Sequence, residues 1–502
     1  MELTQARAQL AELQEKISAY QHATRMLNYD ARTSAPKNTA AHRAHTLSIL
    51  SAELYHLNTG KETVALLEFL EAHSEVLSLQ ERRIIEVMLH DVRKMGRFPI
   101  DDYVELQKTM VEADVVWRKA KAENDFASFA PYLKKIFDGY RKWAHCCAPD
   151  MDPYDFWLNE YEQGLNQERC DEFFSVLQSK IVPLLQKIAQ RPQIDCSCIL
   201  GTFPRNRQEI LSSYLMDLLK LDRGHCGLGV TEHPFTTTLG AHYDVRITTS
   251  YKDYSFAPAM FSVMHEGGHA MYGMGVDDSL AYTVLDGGCS TSLHESQSRF
   301  YENFLGRSEA FVNHIFPTLQ KIFAEQLSGY TAQDVYRAVN RVEPSLIRIE
   351  ADELTYCLHI MVRYELEKKI FKGQLEIEEL PGEWNRLYWE YLGIKVPDDR
   401  RGVLQDSHWS HGHIGYFPTY ALGSAYAAQM LQEMRKTVDV DACLQNGDLE
   451  PIHAWNRAHI WRHGRLYTPT ELLERVWNEA FDPTIYTTYL EEKFSKLYGI
   501  GE

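Results

Sequence analysis

The chain has 502 residues, 44% of them hydrophobic and 24% charged, an ordinary globular composition with enough apolar material for a large core. Its formal net charge of −18 argues against a nucleic-acid partner, which is gripped through basic surface. No uninterrupted apolar stretch approaches the ~20 residues of a membrane span, and nine cysteines scattered along so large a chain make no disulfide framework.

The opening Met1-Glu2-Leu3-Thr4-Gln5-Ala6-Arg7 reads as a polar helical pattern without the apolar centre of a signal peptide, so reduced thiols and a cytoplasmic location are expected. Helical periodicity then runs through residues 4–28. Ser78 and Glu81 have the spacing of a capping box for a helix whose apolar face is Ile84, Ile85, Met88, Leu89 and Val92. Further helices are predicted over 103–123, 172–190 and 207–221. The clearest strand signal lies at 241–251, where His242, Asp244, Arg246 and Thr248 alternate with Tyr243, Val245, Ile247 and Thr249.

Next comes His265-Glu266-Gly267-Gly268-His269. On a helix, histidines at i and i+4 lie one turn apart on one face, so both imidazoles reach a single metal ion while Glu266 leans toward the same place. Phe256, Ala257, Ala259, Met260, Phe261, Val263 and Met264 precede the motif, and Ala270, Met271 and Tyr272 follow it. A helix apolar nearly all round is buried, and buried imidazoles with a carboxylate are costly unless partnered. A metal supplies that partner. Gly267 and Gly268 are poor helix formers, and their missing side chains allow a close approach by a neighbouring element or a substrate.

A catalytic zinc takes three protein ligands and keeps one position open. Leu293, Phe300, Phe304 and Leu305 suggest a second helix after the loop 273–288, and two packed helices place Glu295 against His265 and His269. His294 is the local competitor but points about 100° away on that helix. A solvated Glu295 paired with Arg299 at i+4 is the alternative. Helices are also predicted over 308–328, 420–437 and 470–479. Another is predicted after Pro344, with an apolar stripe of Ile347, Ala351, Leu354, Leu358 and Met361. The whole reads as one mainly α-helical unit, residues 1–502, with a small sheet near the metal helix.

Several short blocks in a fixed order carry a resemblance. They are His233-Pro234-Phe235; Asp244-Val245-Arg246-Ile247-Thr248; His265–His269; His294-Glu295-Ser296-Gln297; Ile347-Arg348-Ile349-Glu350-Ala351-Asp352; and Gly402-Val403-Leu404-Gln405-Asp406-Ser407-His408-Trp409, running on to Gly415-Tyr416-Phe417-Pro418-Thr419-Tyr420. In these the chain resembles the carboxypeptidase Taq family of zinc metallocarboxypeptidases. The resemblance implies an elongated, mostly helical fold with a deep central groove. It also implies one Zn2+ per chain, with Co2+ able to substitute, and a homodimer. It supports His265, His269 and Glu295 as ligands and Glu266 as the catalytic carboxylate. The implied reaction is hydrolysis of the C-terminal bond of peptides with a free C-terminus, releasing single amino acids; charge and the lack of an apolar span leave neither nucleic acid nor membrane as an expected partner.

Such a reaction needs a base for water, for which Glu266 is placed, and a donor for the oxyanion. His408, Tyr416 and Tyr420 are the candidates for that donor, with Asp406 able to orient His408. Recognition of the free carboxylate calls for a fixed cation. Arg348 heads a polar stripe with Asp352, Thr355 and His359, where the competing reading is an i,i+4 pair with Asp352. Arg246 is the runner-up. Asp244, Arg246 and Thr248 share a strand face that either positions the peptide or ties helices together. Gln405 is grouped with Asp406 among the substrate contacts, and His233 with a turn or pocket wall. The rival readings are a zinc endopeptidase or dipeptide-releasing enzyme on the same scaffold, and a non-enzymatic helical scaffold.

Overall fold

A computed structural model describes residues 2–501. Helices dominate, from Leu3–Thr33 to Pro483–Tyr498, and the described residues contain a single three-stranded sheet. The chain divides into two compact units. The first comprises Met1–Arg93, Asp195–Val339 and Met430–Ala480; the second comprises Lys94–Ile194, Asn340–Gln429 and Phe481–Glu502. No described helix is long and apolar enough to cross a membrane.

In the first unit the sheet consists of β1 (Cys226–Val230), β2 (Thr236–Thr238) and β3 (Val245–Thr249), in the order β1-β3-β2. β3 is parallel to β1 and antiparallel to β2, so its backbone is satisfied on both sides. It is shorter than the 241–251 predicted. Gly240, at φ +78°, turns the chain, and Leu239 N bonds Asp244 O at 2.7 Å, so residues 239–244 close a loop instead of extending. His242 is drawn out of the strand altogether. It is 3% exposed and sits between Asp286 (Nδ1–Oδ1 3.0 Å) and Asp278 (Nε2–Oδ1 3.1 Å).

The motif helix, Ala257–Met274, packs against β3 and buries twelve residues spread around its whole circumference. The helix after it, Thr291–Arg299, is capped by the Ser290 side chain, which accepts from Leu293 N. It runs directly into a π-helical turn, Phe300–Gly306. Between the two helices, Val276, Leu280 and Leu285 join an apolar cluster with Leu10, Ile17, Leu67, Leu70, Ile84 and Leu89 of the N-terminal helices. The loop carrying Asp278 and Asp286 is therefore anchored from beneath by hydrophobic burial. The predicted Ser78–Glu81 capping box is formed: Ser78 N donates to Glu81 Oε2 at 2.7 Å and Glu81 N to Ser78 Oγ at 3.2 Å.

The described residues of the second unit contain helices and loops but no strand, with Arg363, Tyr154, Tyr364, Trp384 and Tyr388 among its largest fully buried side chains. The helix predicted from Pro344 begins only at Tyr356 and runs to Phe371. Asp352 explains the delay. Its Oδ1 accepts from the backbone N–H groups of Leu354 and Thr355, both at 3.0 Å, and its Oδ2 accepts from Glu343 N at 3.1 Å. A carboxylate bonded to nearby backbone in this way offers the chain an alternative to the helix ladder. Arg348, Asp352 and His359 accordingly do not form one helical stripe.

Candidate active site

The site is built by the close approach of two helices in the first unit. A Cβ on Gly268 would lie 2.5 Å from Gln297 O and 2.8 Å from Ser298 Cα, so only glycine lets the motif helix meet the backbone of Thr291–Arg299 here. That contact brings together one donor atom each from His265, His269 and Glu295, all within 4.8 Å of one another. Glu295 Oε2 lies 3.8 Å from His265 Nε2 and 3.6 Å from His269 Nε2. Three donors held about 2.1 Å from one tetrahedral ion stand about 3.4 Å apart. The residues present therefore fit a divalent metal, in donor type and in spacing.

A ring of further groups fixes these three. His265 Nδ1 lies 2.9 Å from Glu302 Oε2, His269 Nδ1 lies 2.7 Å from His294 Nδ1, and Glu295 Oε1 accepts from Arg299 Nε at 2.7 Å. Arg299 also donates to Glu302 at 3.2 Å, and Arg307 to the other oxygen of Glu302 at 3.3 Å. The Arg299 pair and the turn toward the histidines coexist, because they use different oxygens of Glu295. Burial pushes the Glu295 carboxyl up, but Arg299, His265 and His269 outweigh it and hold the group well below the usual carboxylate range. Glu302 is likewise raised by burial and pulled down further, by Arg299 and His265, to about 2. Burial takes His294 down to about 3, with neighbouring His269 adding to the effect.

Glu266 is buried beside the histidines. The Thr236 hydroxyl on β2 donates to its Oε2 at 2.6 Å. This fixes the carboxylate against the sheet, and no described residue donates to Oε1.

The other first-unit candidates divide. Arg246 and Asp244 form a two-pronged pair (2.6 and 3.0 Å) with about a third of each side chain exposed. Thr248 is fully buried; its hydroxyl accepts from Phe235 N at 2.8 Å and donates to Phe235 O at 3.0 Å. It therefore ties down the 233–235 segment and does not share an open face with Asp244 and Arg246. His233 is exposed on that segment.

In the second unit, Asp406 lies between two arginines, accepting from Arg348 Nη2 at 2.8 Å and Arg363 Nη2 at 2.6 Å. Arg348 does not pair with Asp352; its other prong donates to Tyr356 at 3.1 Å, and only 6% of its side chain is exposed. Gln405 accepts from Arg348 N at 2.9 Å and donates to Leu346 O at 3.0 Å, bracing the strap before that arginine. His408 Nε2 lies 3.2 Å from the Tyr420 hydroxyl, with the Tyr416 ring 5.8 Å away, so these three are brought together. Asp406 does not orient His408: Nδ1 is 3.9 Å from Oδ1 and has no hydrogen-bond partner, because both carboxylate oxygens are committed to guanidinium groups. Burial, reinforced by Arg348, lowers His408 to about 3. Glu367 pins the following turn, accepting from Trp409 Nε1 at 2.7 Å and Gly415 N at 2.9 Å.

Thr236, Glu302 and Arg307 escaped the sequence reading. Glu302 had a signal, since seven residues after Glu295 is nearly the same helical face. Thr236 had none, because its partner is thirty residues away.

The sequence pattern described as "Carboxypeptidase Taq (M32) metallopeptidase" matches residues 9–494. Carboxypeptidase 1 of Bacillus subtilis is 36% identical over 500 residues, covering 99% of this chain and 100% of that protein. Thermostable carboxypeptidase 1 of Pyrococcus furiosus is 36% identical, covering 95% of this chain and 96% of its own length. The crystal structure of the M32 carboxypeptidase of Deinococcus radiodurans superposes with a TM-score of 0.96 at 34% identity, covering 99% and 100% of the two chains. Metallocarboxypeptidase 1 of Trypanosoma cruzi gives 0.93 at 32% identity, covering 98% and 99%. With a helical fold, a small sheet and a metal-competent donor set already in place, the chain belongs to the carboxypeptidase Taq family of metallopeptidases, metal-dependent enzymes that remove residues from the C-terminus of peptides.

Proposed function

We infer that His265, His269 and Glu295 hold one catalytic Zn2+, replaceable by Co2+, and that Glu266 is the general base and then the general acid of peptide hydrolysis. The observation that carries this reading is the convergence of both Nε2 atoms on Glu295 Oε2, with Glu266 beside them. When bound, such an ion polarises a carbonyl and lowers the pKa of water to about 7.

The remaining steps belong to the chain's own groups. Thr236 holds Oε2 of Glu266 and leaves Oε1 available to take a proton from water and return it to the departing amine. Arg299 and Glu302 keep the ligand carboxylate and the His265 ring in place. His408, Tyr416 and Tyr420 are proposed as oxyanion donors and substrate contacts. The short His408–Tyr420 contact supports this, since it lets an imidazole and a phenol act as one donor pair. Asp244, Thr248, His233, Gln405 and Asp406 are proposed to act on substrate through the groups they position. For the cation that reads the free carboxylate, Arg246 now stands ahead of Arg348, because its side chain is 34% exposed against 6%.

The single catalytic domain over 1–502 and the cytoplasmic location are carried forward from the sequence pattern, and the homodimer from the family resemblance. The match over residues 9–494, which reaches into both compact units, supports the single domain. Digestion of an unblocked peptide followed by mass spectrometry tests the activity. Single-residue ladders from the C-terminus are expected, and they should vanish for Glu266→Gln and for a C-terminally amidated peptide. Cleavage of the amidated peptide at internal bonds would instead indicate an endopeptidase.

A further inference from the structure

The two histidines of the motif are backed by different chemistry. Behind His265 stands Glu302, a carboxylate that also accepts from Arg299 and Arg307, so it is the acceptor of the His265 contact, Nδ1 of His265 donates, and Nε2 faces Glu295. Behind His269 stands another imidazole, with the two Nδ1 atoms 2.7 Å apart. Only one proton fits between them. If His294 donates it, the proton of neutral His269 sits on Nε2 and that nitrogen is closed to a metal. If His269 donates it, Nε2 is open toward Glu295.

We propose that His294 is the positioning residue that selects the metal-competent tautomer of His269, by accepting at Nδ1 and carrying its own proton on Nε2. This rests on the metal-centre reading above and extends it to a residue outside the ligand set.

The surroundings of His294 are shaped for that task. Its ring centroid lies 4.7 Å from that of His269 and 5.1 Å from that of Tyr272, so it is held on two sides. A third side is Gly288, where a Cβ would come within 2.7 Å of His294 Cδ2 and 2.9 Å of Tyr272. The backbone N–H of His294 bonds Ser290 O at 3.0 Å, fixing the ring at the start of the Glu295 helix. A neutral acceptor raises ligand basicity less than a carboxylate does. His269 is thus the softer-held arm of the centre and depends on geometry where His265 depends on charge.

The test is Zn2+ and Co2+ affinity of the full-length chain, stripped of metal and titrated against a competing chelator. His294→Phe fills the space without an acceptor and is expected to bind about 10–100-fold more weakly. His294→Asn places Oδ1 where Nδ1 stood and is expected to recover most of the loss. Gly288→Ala, which keeps His294 but displaces its ring, is expected to weaken binding too. The thermal midpoints of the stripped His294→Phe and His294→Asn proteins should stay together, which separates positioning from a general structural role. Wild-type affinity in His294→Phe, or an Asn variant as weak as Phe, would overturn the proposal. If the wild type itself holds no divalent ion, the metal-centre reading falls and the proposal with it.

Discussion

Arg299 Nε donates to Oε1 of Glu295 at 2.7 Å, leaving Oε2 to face the two histidines of the motif. One carboxylate thereby serves structure and chemistry at once, and the pair is mostly buried. Arg299→Met should strand Glu295 and Glu302 without this cation. The expected cost is about 3–5 kcal/mol in urea unfolding of the metal-free protein. Metal affinity should also fall, by about 10–100-fold, read by chelator competition.

Thr236 reaches both Oε2 (2.6 Å) and the backbone carbonyl (3.1 Å) of Glu266, the proposed catalytic carboxylate. Thr236→Val keeps the shape and removes the hydroxyl bonded to Glu266. We expect kcat to drop about tenfold, equivalent to about 1.4 kcal/mol, with KM nearly unchanged and Thr236→Ser restoring most of the rate. Equal loss in KM would place the hydroxyl in substrate binding instead.

The helix contact at Gly268 sets the spacing of His265, His269 and Glu295, the proposed ligands. Gly268→Ala must push a methyl against Gln297 O and Ser298 Cα. A cost of about 1–3 kcal/mol is expected, together with weakened metal binding. Gly382 serves as the control, since a Cβ there meets nothing within 4 Å. It lies inside the helix Leu380–Leu392, so Gly382→Ala should raise stability by up to about 1 kcal/mol.

His242 gives the loop between the two site helices a pH dependence. Burial pulls its pKa down, but Asp286 and Asp278 outweigh burial and leave it above the ordinary 6.5. A raised folded-state value means that the stabilisation is complete below 6.5 and is lost as pH rises through the folded value. His242→Gln should therefore lower the thermal midpoint more at pH 6 than at pH 9. A deficit that grows toward alkaline pH would contradict the assignment.

The juxtaposition of His265, His269 and Glu295 was legible because each step was local. Two histidines one turn apart on an apolar helix, followed by a second amphipathic helix, leave little freedom in what meets. The capping box at Ser78 was legible for the same reason. What failed were places where one side chain overrides periodicity. Asp352 diverts the backbone and delays a helix to Tyr356, and His242 leaves the strand to be buried between two aspartates. The Arg348–Asp352 pair failed with that helix, and Asp406, which sits 58 residues from Arg348, took its place. Glu302 had a signal in its spacing of seven from Glu295, although the π-helical turn it lies in shifts the 3.6-residue register on which face arguments depend. No pattern along the chain reports contacts of this range, because they are chosen by packing.

Elemental analysis after equilibrium dialysis against Zn2+ reads directly whether His265, His269 and Glu295 hold an ion. One ion per chain is expected for the wild type and for Glu266→Gln, and none for the His265→Ala, His269→Ala double variant or for Glu295→Ala at the same free metal. Full occupancy in those ligand variants, or an empty wild type, would contradict that ligand assignment.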